Sequence, residues 1–241
     1  TEEFISQYPN FPKHMSELGM FVYYRTYSRF LPKEKRRENW KETVRRAVEY
    51  NNQLVIKHLK MIGYNYNSKE IQQEAQQLFD AMFNLKQFLS GRTMWVGGAD
   101  EGIAEKYPLA NFNCSFTNIC EWKDLVDLFY LLLIGTGVGF KCTEEMARNL
   151  APIRNNIKLI HCTYEPLVKT ERFEHTKLVL LENGYVKIYV GDSKEGWVQS
   201  LDYFLKILTE KEYEGVHTIK FNYNSIRPYG ERLATFGGQS S

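Results

Sequence analysis

Residues 111–140 read NFNCSFTNICEWKDLVDLFYLLLIGTGVGF, and their reading decides the fold. The run from Asn111 to Ile119 has strand character, and the segment from Glu121 carries apolar residues at helical spacing up to Gly135. Gly135, Gly137 and Gly139 then stand at alternate positions. On spacing alone GTGVGF reads first as a tight structural turn and second as a ligand-facing loop, because glycines let backbone amides approach an anion. It is neither a G-x-x-x-x-G-K-[ST] loop nor a dinucleotide fingerprint, which leaves a glycine-loop NTPase as a minor alternative. The apolar stretch LVDLFYLLLIG is too short for the roughly 20 residues that cross a bilayer, and it reads as a buried helix.

Upstream, the pattern is helical. In RENWKETVRRAVEYNNQLVIKHLKMIG, Trp40, Val44, Ala47 and Val48 share one side, and Gly63 lies past the end. NSKEIQQEAQQLFDAMFNLKQFL repeats the pattern with Ile71, Ala75, Leu78, Phe79 and Met82, opening at an Asn67 or Ser68 cap. Two antiparallel helices are expected. SGRTMWVGGAD, residues 90–100, reads as too irregular for a helix. Downstream, TKLVLLENGYVKIYV predicts a hairpin with a type I′ turn at Asn183-Gly184. EGWVQSLDYFLKIL predicts an amphipathic helix through Trp197, Leu201, Phe204, Leu205 and Leu208, and VHTIKFNYNSI a strand.

Composition narrows the class. The 241 residues are 43% hydrophobic and 25% charged, ordinary for a folded soluble chain, and the net charge of +2 does not by itself argue for nucleic acid or membrane. Aromatic residues reach 15%. Cys114, Cys120, Cys142 and Cys162 form no C-x-x-C pair and no zinc-like spacing with the five histidines. No metal ligand is therefore assigned, and a reduced, cytoplasmic protein is expected. Taken alone, Cys114 fits a small buried hydrophobe better than a reactive thiol, and the other three cysteines fit that reading better still.

SGRTMW, NCSF, GTGVGF, EGWV, SIRPYG and the closing FGGQSS, in this order, together resemble one family, the adenosylcobalamin-dependent (class II) ribonucleotide reductases. The likeness is greatest to their monomeric ribonucleoside-triphosphate reductases, and it extends from about Gly19 to Ser241, including YYRTYSRFLP. The resemblance implies a fold: an N-terminal helical region, then the first part of a ten-stranded α/β barrel interrupted by a small α+β effector subdomain. It places the helical region at 1–89, the barrel start with its substrate loops at 90–142, the effector-type insertion at 143–224, and the return to the barrel at 225–241.

Function follows by position. Cys114 matches a cysteine that pairs with a second active-site thiol and supplies reducing equivalents, two electrons per disulfide formed. Ser90, Asn113 and Gly137 match positions around the ribose and phosphates of the substrate. The resemblance implies reduction of ribonucleoside triphosphates by a thiyl-radical mechanism with adenosylcobalamin, a deoxynucleoside triphosphate effector, a thioredoxin-type reductant and a monomeric state, without membrane or direct nucleic-acid partners. Family members continue for several hundred residues beyond FGGQSS. The radical cysteine, the partner of Cys114 and most cobalamin contacts belong to that C-terminal half, so the chain is expected to need it for turnover. A split gene, an intein-interrupted gene and a truncated piece all remain open. A non-catalytic nucleotide-binding or assembly module is the alternative from a different class.

Overall fold

Asn39 opens the longest helix with a reciprocal cap: its Oδ1 accepts from the Glu42 amide at 3.0 Å, while Glu42 Oε2 accepts from the Asn39 amide at 2.8 Å. The computed structural model describes residues 1–99, 102–231, 233 and 239–240, which fall into two units, Thr1–Phe112 and Asn113–Ser241. Phe236, Gly237, Gly238 and Ser241 of FGGQSS lie outside the described residues. Among those described the chain is a mixed α/β protein with three small sheets.

In the first unit, α1 (Glu2–Ser6) and α2 (Glu17–Thr26) precede the short antiparallel pair β1 (Phe30–Leu31) and β2 (Arg36–Arg37). Helices α3 (Trp40–Met61) and α4 (Ser68–Phe83) follow. Gly63, at φ 68°, takes the left-handed position after α3, and Asn67 caps α4 by accepting from the Lys69 amide at 3.0 Å. Trp40 at the start of α3 donates from Nε1 to the Phe83 carbonyl at the end of α4, 3.0 Å away, so the two helices run antiparallel as expected. Their facing stripes, with Val44, Ala47, Phe79 and Met82 nearly inaccessible, form the core with Tyr23 and Met94. Burying each of the larger of these side chains stabilises the fold by about 1.5–3 kcal/mol.

A buried charge organises the edge of this core. Glu38, 4% exposed, accepts from Arg46 Nε at 2.7 Å and from Thr43 Oγ1 at 2.7 Å, while the Tyr23 hydroxyl donates to the Glu38 carbonyl at 2.9 Å. Burial drives the Tyr23 phenol well above its ordinary pKa. Arg46 also donates to the carbonyls of Gly97 (2.6 Å) and Met94 (3.1 Å), which fixes the segment read as SGRTMWVGG against α3. That segment is not irregular. Its residues form α5 (Gly91–Val96), a short helix whose Met94 and Val96 are buried, followed by α6 (Ile103–Lys106). The glycines after α5 have a packing reason: a Cβ on Gly97 would lie 2.7 Å from the Tyr50 ring, and Gly98 sits at φ 65° against Arg46. Their density made a helix look unfavourable in the sequence, yet they lie past its end.

The second unit begins with β3 (Cys114–Asn118), α7 (Trp122–Leu133) and β4 (Gly137–Lys141), then α8 (Glu144–Asn149), β5 (Lys158–His161), β6 (Lys177–Leu180), β7 (Tyr185–Tyr189), α9 (Lys194–Thr209) and β8 (Thr218–Asn222). β3 and β4 pair in parallel, and the other four strands form a sheet in the order β5-β8-β7-β6 in which only the β6-β7 pair is antiparallel. The hairpin falls at the expected place. Asn183 and Gly184 have φ of 59° and 71°, the left-handed pair a type I′ turn demands. A Cβ on Gly184 would lie 2.5 Å from the Gly215 carbonyl oxygen, so the position excludes every side chain.

Val186, Ile188, Ile219 and Phe221 make the inner face of the larger sheet and pack with Ile207 of α9, flanked by Trp197 and Phe204. Ser193 caps α9 by accepting from the Gly196 amide at 2.9 Å. Helix α7 departs from the buried helix expected of LVDLFYLLLIG. Only Val126 within it is buried, and Leu132 is 48% exposed. Among the described residues no helix is long and apolar enough to cross a membrane.

Candidate functional site

The parallel pair β3-β4 brings together three of the four residues singled out in the sequence. Cys114, the first residue of β3, lies in register with Gly137, the first residue of β4, and the Gly137 amide donates to the Asn113 carbonyl at 2.8 Å. Asn113, Cys114 and Gly137 are all exposed, so Cys114 is not the buried space-filler its isolated sequence suggests. Cys120 and Cys142 are exposed as well and Cys162 is half-buried, which overturns the packing role expected for them; all four are free thiols.

The geometry also corrects the reading of GTGVGF. Only Gly135 belongs to a turn: at φ 89° it closes α7, its amide donating to Leu132 O and the Thr136 amide to Leu131 O, both at 3.0 Å. Gly137 to Phe140 are strand. Gly139 faces Phe116 across the ladder, and a Cβ there would lie 3.1 Å from the Phe116 ring. Strict alternation of glycine at 135, 137 and 139 is a strand period of two, a signal in the sequence that the glycine content masked.

Ser90 belongs to the first unit. It caps α5, its Oγ accepting from the Thr93 amide at 3.1 Å and lying 2.8 Å from Thr93 Oγ1, and it is exposed. Sequence reasoning passed over two further groups. Ser115, next to Cys114, has a buried Oγ with no hydrogen-bond partner in the structure. Arg46 holds the Ser90 segment through two carbonyls, a role its position in a charge-rich helix does not reveal.

SIRPYG, the segment after β8, is anchored by charge. Arg227 Nε donates to Asp192 Oδ1 at 2.9 Å and Oδ2 at 3.0 Å, and Arg172 pairs with Glu231 at 2.8 Å. Ser225 is buried, its Oγ accepting from the Phe173 amide at 3.2 Å. These contacts tie the segment to the loops before β6 and after β7. Asp192 and Arg172 are both about 10% exposed, so the pairs are held in a partly desolvated setting where charge-assisted hydrogen bonds are strong.

Residues 1–99 match the family model described as the ribonucleotide reductase alpha domain. The chain is 28% identical, over 95% of its length and 34% of the relative's, to the adenosylcobalamin-dependent ribonucleoside-triphosphate reductase of Lactobacillus helveticus. The protein of the same name from Lactobacillus gasseri is 29% identical over the same shares. Over these spans the chain is similar to ribonucleotide reductases. In fold, it matches a crystal structure of a B-12 dependent (class II) ribonucleotide reductase with a TM-score of 0.77 at 24% identity, covering 100% of this chain and 37% of that one. The chain thus spans about a third of the length of the curated proteins it matches.

Proposed function

We propose that this chain is the amino-terminal part of a ribonucleotide reductase that converts ribonucleoside triphosphates to their 2′-deoxy forms, and that Cys114 is one of two thiols that supply the electrons. In that reaction the C2′–O bond breaks and the hydroxyl leaves as water. Two thiols give up two hydrogens, one lost with the water and one ending on C2′, and close an S–S bond. Nothing else is consumed until an external dithiol of the thioredoxin type reopens the disulfide. The observation that carries the reading is the in-register pairing of exposed Cys114 with Gly137, with the Asn113 carbonyl held by the Gly137 amide.

Asn113 and Gly137 would border the ribose and phosphates, and Ser90, on the first unit, is a further substrate-binding candidate. The β3-α7-β4 segment would be the start of the ten-stranded barrel, residues 143–224 the inserted subdomain that takes a deoxynucleoside triphosphate effector, and the protein a cytoplasmic monomer. The insertion reading is supported by the ion pairs Arg227–Asp192 and Arg172–Glu231, which couple residues 172 and 192 to the segment that follows β8.

The relatives are named as adenosylcobalamin-dependent. Four cavities among the described residues, of about 230 to 620 Å³, are bordered by residues between Thr1 and Met94 and by none of Asn113, Cys114 or Gly137. That cofactor and the second thiol would come from the two-thirds of such a reductase that this chain does not span.

The test is to combine the chain with the remaining part of a reductase and measure dCTP formed from CTP with adenosylcobalamin and a dithiol. Deoxynucleotide formed only in the combination supports the proposal; none in the combination contradicts it. Coverage of a third of the relatives favours one second reading, a nucleotide-binding module without catalysis. It predicts nucleotide binding by the isolated chain and no product in the mixture.

A further inference from the structure

We infer that the outer face of the four-stranded sheet binds single-stranded nucleic acid. The strand registers place one lysine from each strand on that face. Lys158 aligns with Thr218, Lys220 with Lys187, and Lys177 with Tyr189, so the ammonium groups run as a diagonal track from β5 through β8 and β7 to β6. Tyr185 and Tyr189 lie on the same face, on either side of the track. The inner face, with Ile188 and Ile219, is covered by α9. On the outer one, Thr218 is the only strand residue that is buried.

Three features point to an anionic, ring-bearing partner. First, none of the strand residues in this sheet is Asp or Glu, although Lys187 and Lys220 stand directly opposite each other, an arrangement that like-charge repulsion disfavours. An added anion relieves that repulsion. Second, the lysines are steered by rings: Lys177 Nζ lies 3.7 Å from the Phe173 ring centre, Lys187 4.5 Å from Tyr189, and Lys220 4.9 Å from Tyr185. Cations interleaved with aromatic faces are what a single strand uses, phosphates on the first and bases stacked on the second. Third, three strand spacings across and a four-residue offset along the strands set the track at on the order of 20 Å, wider than the phosphates of one mononucleotide reach. An acidic peptide would meet the lysines but give the rings nothing to stack on. The net charge of +2 conceals this arrangement because the acidic residues lie elsewhere.

The experiment is fluorescence anisotropy of a labelled 15-nucleotide oligo-dT titrated with the 241-residue chain. Binding should weaken with salt at a log–log slope of about −3, four phosphates at roughly 0.7 each. Lys187→Gln with Lys220→Gln should lower affinity at least tenfold with an unchanged circular-dichroism melt. Tyr189→Leu should lower it several-fold, which reads stacking separately from charge. No binding at 50 mM salt, or equal binding by the folded double variant, overturns the inference. So does competition by polyglutamate or inorganic triphosphate as effective as that of unlabelled oligo-dT, since the face would then read charge alone.

Discussion

The core between α3 and α4 and the pair β3-β4 treat polar groups in opposite ways. In the first, Glu38 is buried and each carboxylate oxygen accepts a hydrogen bond from a neighbouring side chain, Arg46 and Thr43 among them. In the second, Cys114 and the Asn113–Gly137 contact stand exposed, and Ser115 Oγ is buried without a partner. Parallel strands are ordinarily covered on both faces, so an exposed parallel pair is costly for a fold and useful to a site. The helical core satisfies its buried polar groups; the β3-β4 pair leaves Cys114 and Gly137 exposed.

That contrast is breakable by mutation. The largest change is expected for Glu38→Ala, which leaves the buried Arg46 without its counter-charge: a loss of about 3–5 kcal/mol by urea unfolding. A loss under 1 kcal/mol would mean the ion pair is not part of the core. Gly184→Ala forces a side chain into a left-handed turn already filled by the Gly215 carbonyl, and should cost about 1–3 kcal/mol.

A smaller effect is expected from Tyr8, whose phenol is pushed up to about 12 by burial first and by its hydrogen bond to Asp80 second. The unfolded chain loses this proton near pH 10 and the folded chain near 12, so the unfolded state holds fewer protons in between. Stability therefore falls as pH rises through that window. Tyr8→Phe should flatten the fall, and an unchanged slope would contradict the assignment. At the small end, Cys114→Ser should change unfolding free energy by less than about 0.5 kcal/mol, the usual range for exposed positions.

How much of this was written in the sequence depends on the range of the signal. Helices α3, α4, α7 and α9 and the Asn183-Gly184 hairpin are local patterns, and each appears where periodicity and turn chemistry put it. Helix α5 and strand β4 escaped notice because glycines next to or inside them mimic loops; what they accommodate, the Tyr50 and Phe116 rings, comes from elsewhere in the chain. The bond from Arg46 to Gly97 spans 51 residues and leaves no local trace. At the candidate site, spacing alone pointed away from Cys114 as a reactive group. The order of six short motifs pointed toward it, and its exposure came only from the fold.

The most direct test of the account is the redox state of Cys114 across one turnover. The chain should be combined with the rest of a reductase, given CTP and adenosylcobalamin without external dithiol, and quenched with a thiol-alkylating reagent for mass spectrometry. The account predicts that Cys114 becomes protected from alkylation in a disulfide, one per dCTP formed, and that Cys114→Ser abolishes multiple turnover with a dithiol while nucleotide affinity stays roughly intact. Deoxynucleotide formation with Cys114 still fully alkylated, or sustained turnover by the serine variant, would contradict it.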